Sequence, residues 1–530
     1  MATRIKNAYI VDGSGAPGFY GELSYDKGII TQVSKNPLGG TYEEEIDAMG
    51  HTVCPGFIDT HSHSDVEVLL ESAILPKLHQ GITTEVLGQD GISVAPMPPE
   101  RAPEWRKNIG GLDGDSDELP WDYTSTDRYL KCIEAVHPTS NFAYLAPHGN
   151  IRAQVMGVEN RYATEEELQQ MEALLRTELE QGAIGMSTGL IYIPCVYAST
   201  EELVRLCRIV KEYNKVFVVH QRSEGDYIRE SMDELYEIVK ASGVDLHISH
   251  FKIFGKRDAA FWPEVLEKLH KIEALGVNVS VDQYPYTAGS TMMAAILPPW
   301  AHEGGTNKLL ERLQNPETRA EIVDDIYHDN SHWEDAIAIN GTDSIVCSSV
   351  KKEKNLHYVG KNLDEIGAMM GKDPVEAGID LMLDEQMLVG MIEHYRTEDV
   401  MEQILKQPET NVCTDGLLGG TPHPRVYGAF PKILGRFVRE ENWFSLEEAV
   451  YKMTYKAASA MHITDRGLLR EGMRADINIF DRDTILDMGT YENPRQYAAG
   501  FDKVIVNGVV VLSDNEVNEK SACGQVIRIR

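Results

Sequence analysis

Apolar positions along this chain change their spacing twice. From residue 1 to about 55, short apolar runs alternate with turn residues. The run at 7–11 precedes Asp12-Gly13-Ser14-Gly15, and those at 21–25 and 29–33 flank Asp26-Lys27-Gly28. Such runs about an Asp-x-Gly turn predict a hairpin, and no stretch here carries helical spacing. The same texture returns at 475–480 and 503–511. Two β-rich ends around a different middle predict one small β-sandwich built from residues 1–55 and 467–530.

The middle alternates strands with helices. Thr164-Glu165-Glu166-Glu167 is a capping box, followed by Leu168, Met171, Leu175 and Leu179 at helical spacing and by the stop Gly182. Next come a strand at 183–187, a helix over about 201–212, and a strand at 215–220 that ends in His220. A helix ending at Gly243 leads to a strand that ends in His250. A helix with Val265, Leu266, Leu269 and Ile272 then stops at Gly276 before the strand 277–282. Repeated β-α-β units predict an α/β fold whose parallel sheet closes as a (β/α)8 TIM-like barrel over 56–466. An open doubly wound sheet is the alternative. No Gly-x-Gly-x-x-Gly turn stands at a strand-to-helix junction, which argues against its dinucleotide-binding form. The alternation breaks over 287–344, a polar stretch with Pro298-Pro299-Trp300 and Trp333. This predicts an insertion in a barrel loop and, because such loops lie over the C-terminal face, a lid.

The 530 residues suffice for a large catalytic domain and a smaller one. Lys+Arg 50 against Asp+Glu 83 leaves a net charge of −33. That field repels nucleic acid and anionic membranes, so neither is expected as a partner, and an anionic substrate needs a local cationic pocket. The start Met1-Ala2-Thr3-Arg4-Ile5-Lys6 has no apolar signal core. Seven cysteines without a Cys-x-x-Cys pair argue against both a disulfide framework and a zinc knuckle. A cytoplasmic protein acting on a small molecule is expected, and a homo-oligomer is compatible with this composition.

The chemistry begins at Pro55-Gly56-Phe57-Ile58-Asp59-Thr60-His61-Ser62-His63-Ser64-Asp65. On an extended strand, the spacing of His61 and His63 puts both imidazoles on one side. Other predicted strands end at Gln89-Asp90, His220, His250 and Asp415. A lone strand-end histidine is more often a hydrogen-bonded loop residue, but five strand ends with the same donor chemistry predict a divalent-metal site, since barrel strand ends share one face. Arg425 and Lys252 follow such ends closely and are candidates to grip a carboxylate, against the plainer reading of surface cations. His148 and Arg152 read as loop structure and the cysteines, Cys195 and Cys413 included, as packing residues.

Several further stretches carry a resemblance. They are Gly81-Ile82-Thr83-Thr84, Gly189-Leu190-Ile191-Tyr192, His220-Gln221-Arg222-Ser223-Glu224, Ile248-Ser249-His250-Phe251-Lys252, Asp282-Gln283-Tyr284-Pro285-Tyr286, Thr414-Asp415-Gly416 and His423-Pro424-Arg425-Val426-Tyr427-Gly428. With residues 55–63 they resemble the amidohydrolase superfamily, and within it the N-acyl-D-amino-acid deacylases, over nearly the whole chain. The resemblance implies hydrolysis of the linear amide of an N-acyl-D-amino acid. It implies one or two ions, zinc first and manganese or cobalt as alternatives, held by His220 and His250 with a bridging ligand from the second strand. His61, His63 and Asp415 would form a weaker position, with Asp415 the general acid and base. Tyr192, Lys252, Tyr284 and Arg425 would line the substrate pocket. The family places a cysteine where this chain has Asp90, so the bridging ligand would be a carboxylate. A relative acting on cyclic amides or dipeptides is the alternative. A non-catalytic relative would have lost the histidines or Asp415, and all are present.

Overall fold

In a computed structural model, residues 2–328, 331 and 333–529 are described. Eight parallel strands form the centre: β1 (Phe57–Asp59), β2 (Ile82–Leu87), β3 (Asn141–Tyr144), β4 (Gly185–Gly189), β5 (Val216–His220), β6 (Asp245–Ile248), β7 (Val279–Gln283) and β8 (Thr410–Val412). β1 to β3 pair in sequence, and so do β4 to β8. Two seams close the ring. Ile184 N donates to Tyr144 O at 2.8 Å beside a short pairing of Ala146–Pro147 with β4. Asp415 N donates to His61 O at 2.9 Å next to a Ser62–Gly416 bridge. The closed ring brings residues far apart in sequence to a common rim.

Both faces of the barrel strands are buried, which is why Val216-Phe217-Val218-Val219 is continuously apolar. Phe217 and Val219 face the helices, joining Leu175, Leu179, Leu206 and Leu269. Val216 and Val218 share the inner core with Ile58, Val86, Ala457 and Met461. With a side-chain period of two, His220 continues the inward set at the strand's C-terminal end. The capping box at Thr164 is formed on helix Glu165–Glu180, with both reciprocal hydrogen bonds present. Gly243 ends helix Ile228–Ser242 in the left-handed region, at φ 68°.

Both ends of the chain contribute to a nine-stranded mixed sheet. Strand Thr52–Pro55 lies between Thr3–Ile10 and Ile477–Phe480. The sheet rolls back on itself where Ile30 N donates to Met473 O at 2.8 Å, enclosing Ile5, Leu23, Ile30, Val53, Ile477 and Ile505. Gly56 alone separates this sheet from β1. A Cβ there would lie 2.3 Å from Thr83 Oγ1, so the Pro-Gly breaker is a close approach that no side chain allows.

The chain between β7 and β8 runs from 284 to 409. The 287–344 segment is its first part, and residues 329, 330 and 332 of that segment lie outside the described residues. Strands Ala288–Met292 and Ile345–Val350 flank Val389–His394 in an antiparallel sheet that stands over the strand ends. Among the described residues, no helix is long and apolar enough to cross a membrane.

Candidate metal centre

At the C-terminal rim, His61 and His63 follow β1, with their Nε2 atoms 3.3 Å apart. Asp90, beyond the end of β2, stands between two histidine pairs. Its Oδ2 lies 3.5 Å from His61 Nε2 and 3.4 Å from His63 Nε2. Its Oδ1 lies 3.6 Å from His250 Nε2 and 3.8 Å from His220 Nδ1. Asp415, beyond β8, points Oδ1 at His63 Nε2 across 3.3 Å and at His61 Nε2 across 3.6 Å. All six side chains are buried. Asp90, His250 and Asp415 have φ of 54°, 33° and 47°, so three donors sit in the strained left-handed region that active sites favour.

Do these residues fit a metal? Neither ring nitrogen of His220 has a hydrogen-bond partner, and neither His61 Nδ1 nor Asp90 Oδ1 has one. Buried polar atoms are costly unless satisfied. Donor atoms of His61, Asp90 and His250, and again of His61, His63 and Asp415, lie within 4.8 Å of one another. Imidazoles and carboxylates are the donors that zinc, manganese and cobalt accept. The residues fit.

Neighbouring groups set the charges. Burial lowers His220 to about 3 with help from His250, leaving it the neutral imidazole that a metal needs. Burial opposes ionisation of Asp415, but Arg425 and then His61 hold its carboxyl well below the usual range. Asp90 is likewise held low, with His61 the first cause against burial.

A further layer fixes the orientations. His63 Nδ1 meets Asp113 at 2.9 Å and His250 Nδ1 meets Glu224 at 3.1 Å, the carboxylate–histidine arrangement common behind metal ligands. Asp282 accepts from His250 N at 2.5 Å, from Thr60 at 2.7 Å, and faces His247 at 2.9 Å. Fully buried Lys77 binds Asp59 at 2.6 Å and Thr414 at 2.6 Å, tying β1 to β8 beside Asp415. Asp59, Thr60, Glu224, Asp282 and Thr414 lay in stretches singled out in the sequence, but none of them had been given a role, and Lys77 and Asp113 lay in no such stretch.

The predicted pocket residues surround the same point. Arg425 Nη1 pairs with Asp415 Oδ2 at 2.9 Å, Nη2 donates to Ser290 O at 3.0 Å, and the guanidinium stands 4.4 Å from the Tyr284 ring centre. Lys252 pairs with Glu224 and approaches His250 Nδ1 at 3.1 Å. Tyr192 bonds Thr291 at 2.9 Å, and its ring meets His220 edge-on. Beside it opens a cavity of about 990 Å³, walled partly by Leu297, Pro299 and Trp300 from the 287–344 segment. One reading needs correction. His148 and Arg152 are not in a loop but in helix His148–Met156, fully buried and paired with Glu202 at 2.8 and 2.7 Å. Cys195 is buried and donates to Gly91 O at 3.8 Å, and Cys413 is likewise buried.

A closed barrel whose strand-end histidines and carboxylates converge on one point defines the class of metal-dependent hydrolases. The chain belongs to the Amidohydrolase family, whose model matches residues 44–512. It is similar to a D-aminoacylase of Alcaligenes xylosoxydans xylosoxydans, with 30% identity over 519 residues, 98% of this chain and 96% of that one. An N-acyl-D-glutamate deacylase of the same organism is 32% identical over 96% of this chain and 93% of its own. Among solved structures, the N-acyl-D-glutamate deacylase from Bordetella bronchiseptica, complexed with zinc and a phosphonate mimic of the tetrahedral intermediate, superposes with a TM-score of 0.84 at 29% identity. Coverage is 99% of both chains.

Proposed function

We propose that this protein hydrolyses N-acyl-D-amino acids to a carboxylate and a free D-amino acid. The observation that carries the reading is the Asp90 carboxylate shared between two histidine pairs, with the Asp415–Arg425 ion pair at its edge. His220 and His250 on one side of Asp90, and His61, His63 and Asp415 on the other, would hold one or two divalent ions. Zinc is the first candidate, and an all-oxygen-and-nitrogen donor set also suits manganese or cobalt. When bound, such an ion supplies Lewis acidity, which makes water acidic enough to attack near neutral pH and polarises the amide carbonyl.

The protein's own groups supply the rest. Asp415, kept ionised by Arg425, accepts the proton of the attacking water. It returns that proton to the amide nitrogen, which must be protonated before the amine can leave. Arg425 retains Nε without a hydrogen-bond partner, although buried, and so has a donor to spare for a substrate carboxylate. Lys252, on the His250 side, would meet the same carboxylate from a second direction. Fixing carboxylate and carbonyl together orients the α-carbon, which is the basis for discriminating D from L. The seven free thiols fit a cytoplasmic setting.

Replacing Arg425 with Met tests this reading against a cyclic-amide hydrolase, whose substrate lacks a free carboxylate. The expected kcat/KM falls far more for N-acetyl-D-leucine than for its primary amide, because only the acid loses a charge-assisted pair. Equal losses would contradict the assignment.

A further inference from the structure

The wall of the cavity opposite Tyr192 carries a carboxylate that the reaction does not use. Glu393 lies on strand Val389–His394, directly across from Gly289, and the next pair on the same face is Met391 with Thr291. All but Gly289 line the cavity. A methyl group at Gly289 would sit 3.4 Å from the Tyr284 hydroxyl and 3.5 Å from Glu393 Oε1, so both oxygens face one small space. Glu393 therefore stands next to the Tyr284–Arg425 pair that would hold the substrate's carboxylate.

Among the described residues, no side chain pairs with it directly: the Glu393 side chain makes no hydrogen bond and no ion pair. The nearby cations are engaged elsewhere: Arg425 with Asp415, Lys252 with Glu224, and Arg222 with Glu234 and the carbonyl oxygens of Val196 and Ala198. The other acid deep in this wall, Glu334, is spent on the backbone N–H groups of Glu224 and Gly225. Burial pushes the Glu393 carboxyl up to about 7 despite the opposing field of Lys252, as expected for an acid that lacks a close partner. A lone carboxylate at a cavity wall costs stability unless a ligand pairs with it.

We propose that Glu393 reads a positive charge on the substrate, an ammonium or guanidinium group carried by the side chain of the D-residue or by an aminoacyl group. The inference rests on the deacylase reading and adds a substrate class to it. It also sets this chain apart from the glutamate and aspartate deacylases it resembles, since an acidic side chain placed beside Glu393 would meet a like charge.

The test compares kcat/KM of the metal-loaded enzyme for N-acetyl-D-lysine, N-acetyl-D-arginine, N-acetyl-D-norleucine, N-acetyl-D-glutamate and glycyl-D-norleucine. At least one cationic substrate should exceed N-acetyl-D-norleucine by about tenfold or more, the worth of one charge-assisted hydrogen bond. N-Acetyl-D-glutamate should be the poorest. Preference for lysine or arginine places the charge on the side chain, and preference for glycyl-D-norleucine places it on the acyl group. In Glu393→Gln the cationic-to-norleucine ratio should fall towards one. Norleucine cleaved as well as every cationic substrate, a result that needs no variant, would overturn the inference while leaving the deacylase reading intact. So would an unchanged ratio in Glu393→Gln. If none of these compounds is hydrolysed, the deacylase reading fails and the inference with it.

Discussion

Arg425 Nη1 lies 2.9 Å from Asp415 Oδ2, while the other oxygen of that carboxylate faces His63 at 3.3 Å. One aspartate thus touches both the substrate-gripping cation and the metal-competent histidines. The pairing explains how a buried carboxylate stays ionised, and it links substrate position to the proton shuttle. Arg425 is itself fully buried, held by Ser290 O and the Tyr284 ring. The donor geometry is therefore set before a substrate arrives.

Asp415→Asn keeps the shape of the side chain but cannot take a proton from water. A loss of about 10² to 10⁴ in kcat is expected, the usual worth of general acid–base help. Metal content and circular dichroism should stay near wild type, because His61 and His63 remain. Near-wild-type kcat in a folded, metal-loaded variant would rule out the shuttle.

Asp90 is expected to bridge the two halves of the centre. Asp90→Ala should lower bound metal by elemental analysis under matched loading. Asp90→Cys should retain metal and shift preference towards zinc over manganese, because thiolate is the softer donor. Unchanged stoichiometry and affinity in Asp90→Ala would mean that the histidines hold the ion alone.

Acid stability should depend on His79, far from the catalytic chemistry. Its ring stacks on Tyr497 at 3.9 Å, it is buried, and its Nδ1 has no hydrogen-bond partner. Burial lowers it from the ordinary 6.5 to about 4. The unfolded chain therefore binds this proton first, so the contribution to stability is present above pH 6.5 and is lost as pH falls towards about 4. His79→Phe should flatten the fall of Tm across that window. An identical pH dependence in variant and wild type would contradict the assignment.

The strand-end donors were legible because a short apolar run that stops at a histidine states both the strand and the direction of its last side chain. Val216 to His220 is the clearest instance. Helix Glu165–Glu180 was equally plain from its capping box and apolar spacing. Helix His148–Met156 was not, because all but two of its nine residues are buried and a helix buried all round shows no stripe. Asp113 was hidden for another reason: it reaches His63 from a position with no strand end to announce it. Glu393 belongs to a strand between β7 and β8 whose antiparallel partners come from 288–292 and 345–350. Its place at the cavity follows from that non-local pairing and from nothing in its neighbours.

The most direct test of the whole account is hydrolysis of matched D and L pairs, such as N-acetyl-D- and N-acetyl-L-methionine, followed by release of the free amine. The assay is run on metal-loaded enzyme, after chelation, and after readdition of zinc, manganese or cobalt. The account predicts turnover of the D compound, little or none of the L compound, loss on chelation and recovery on readdition. Equal turnover of both enantiomers, or full D activity after the metal has been removed, would contradict it.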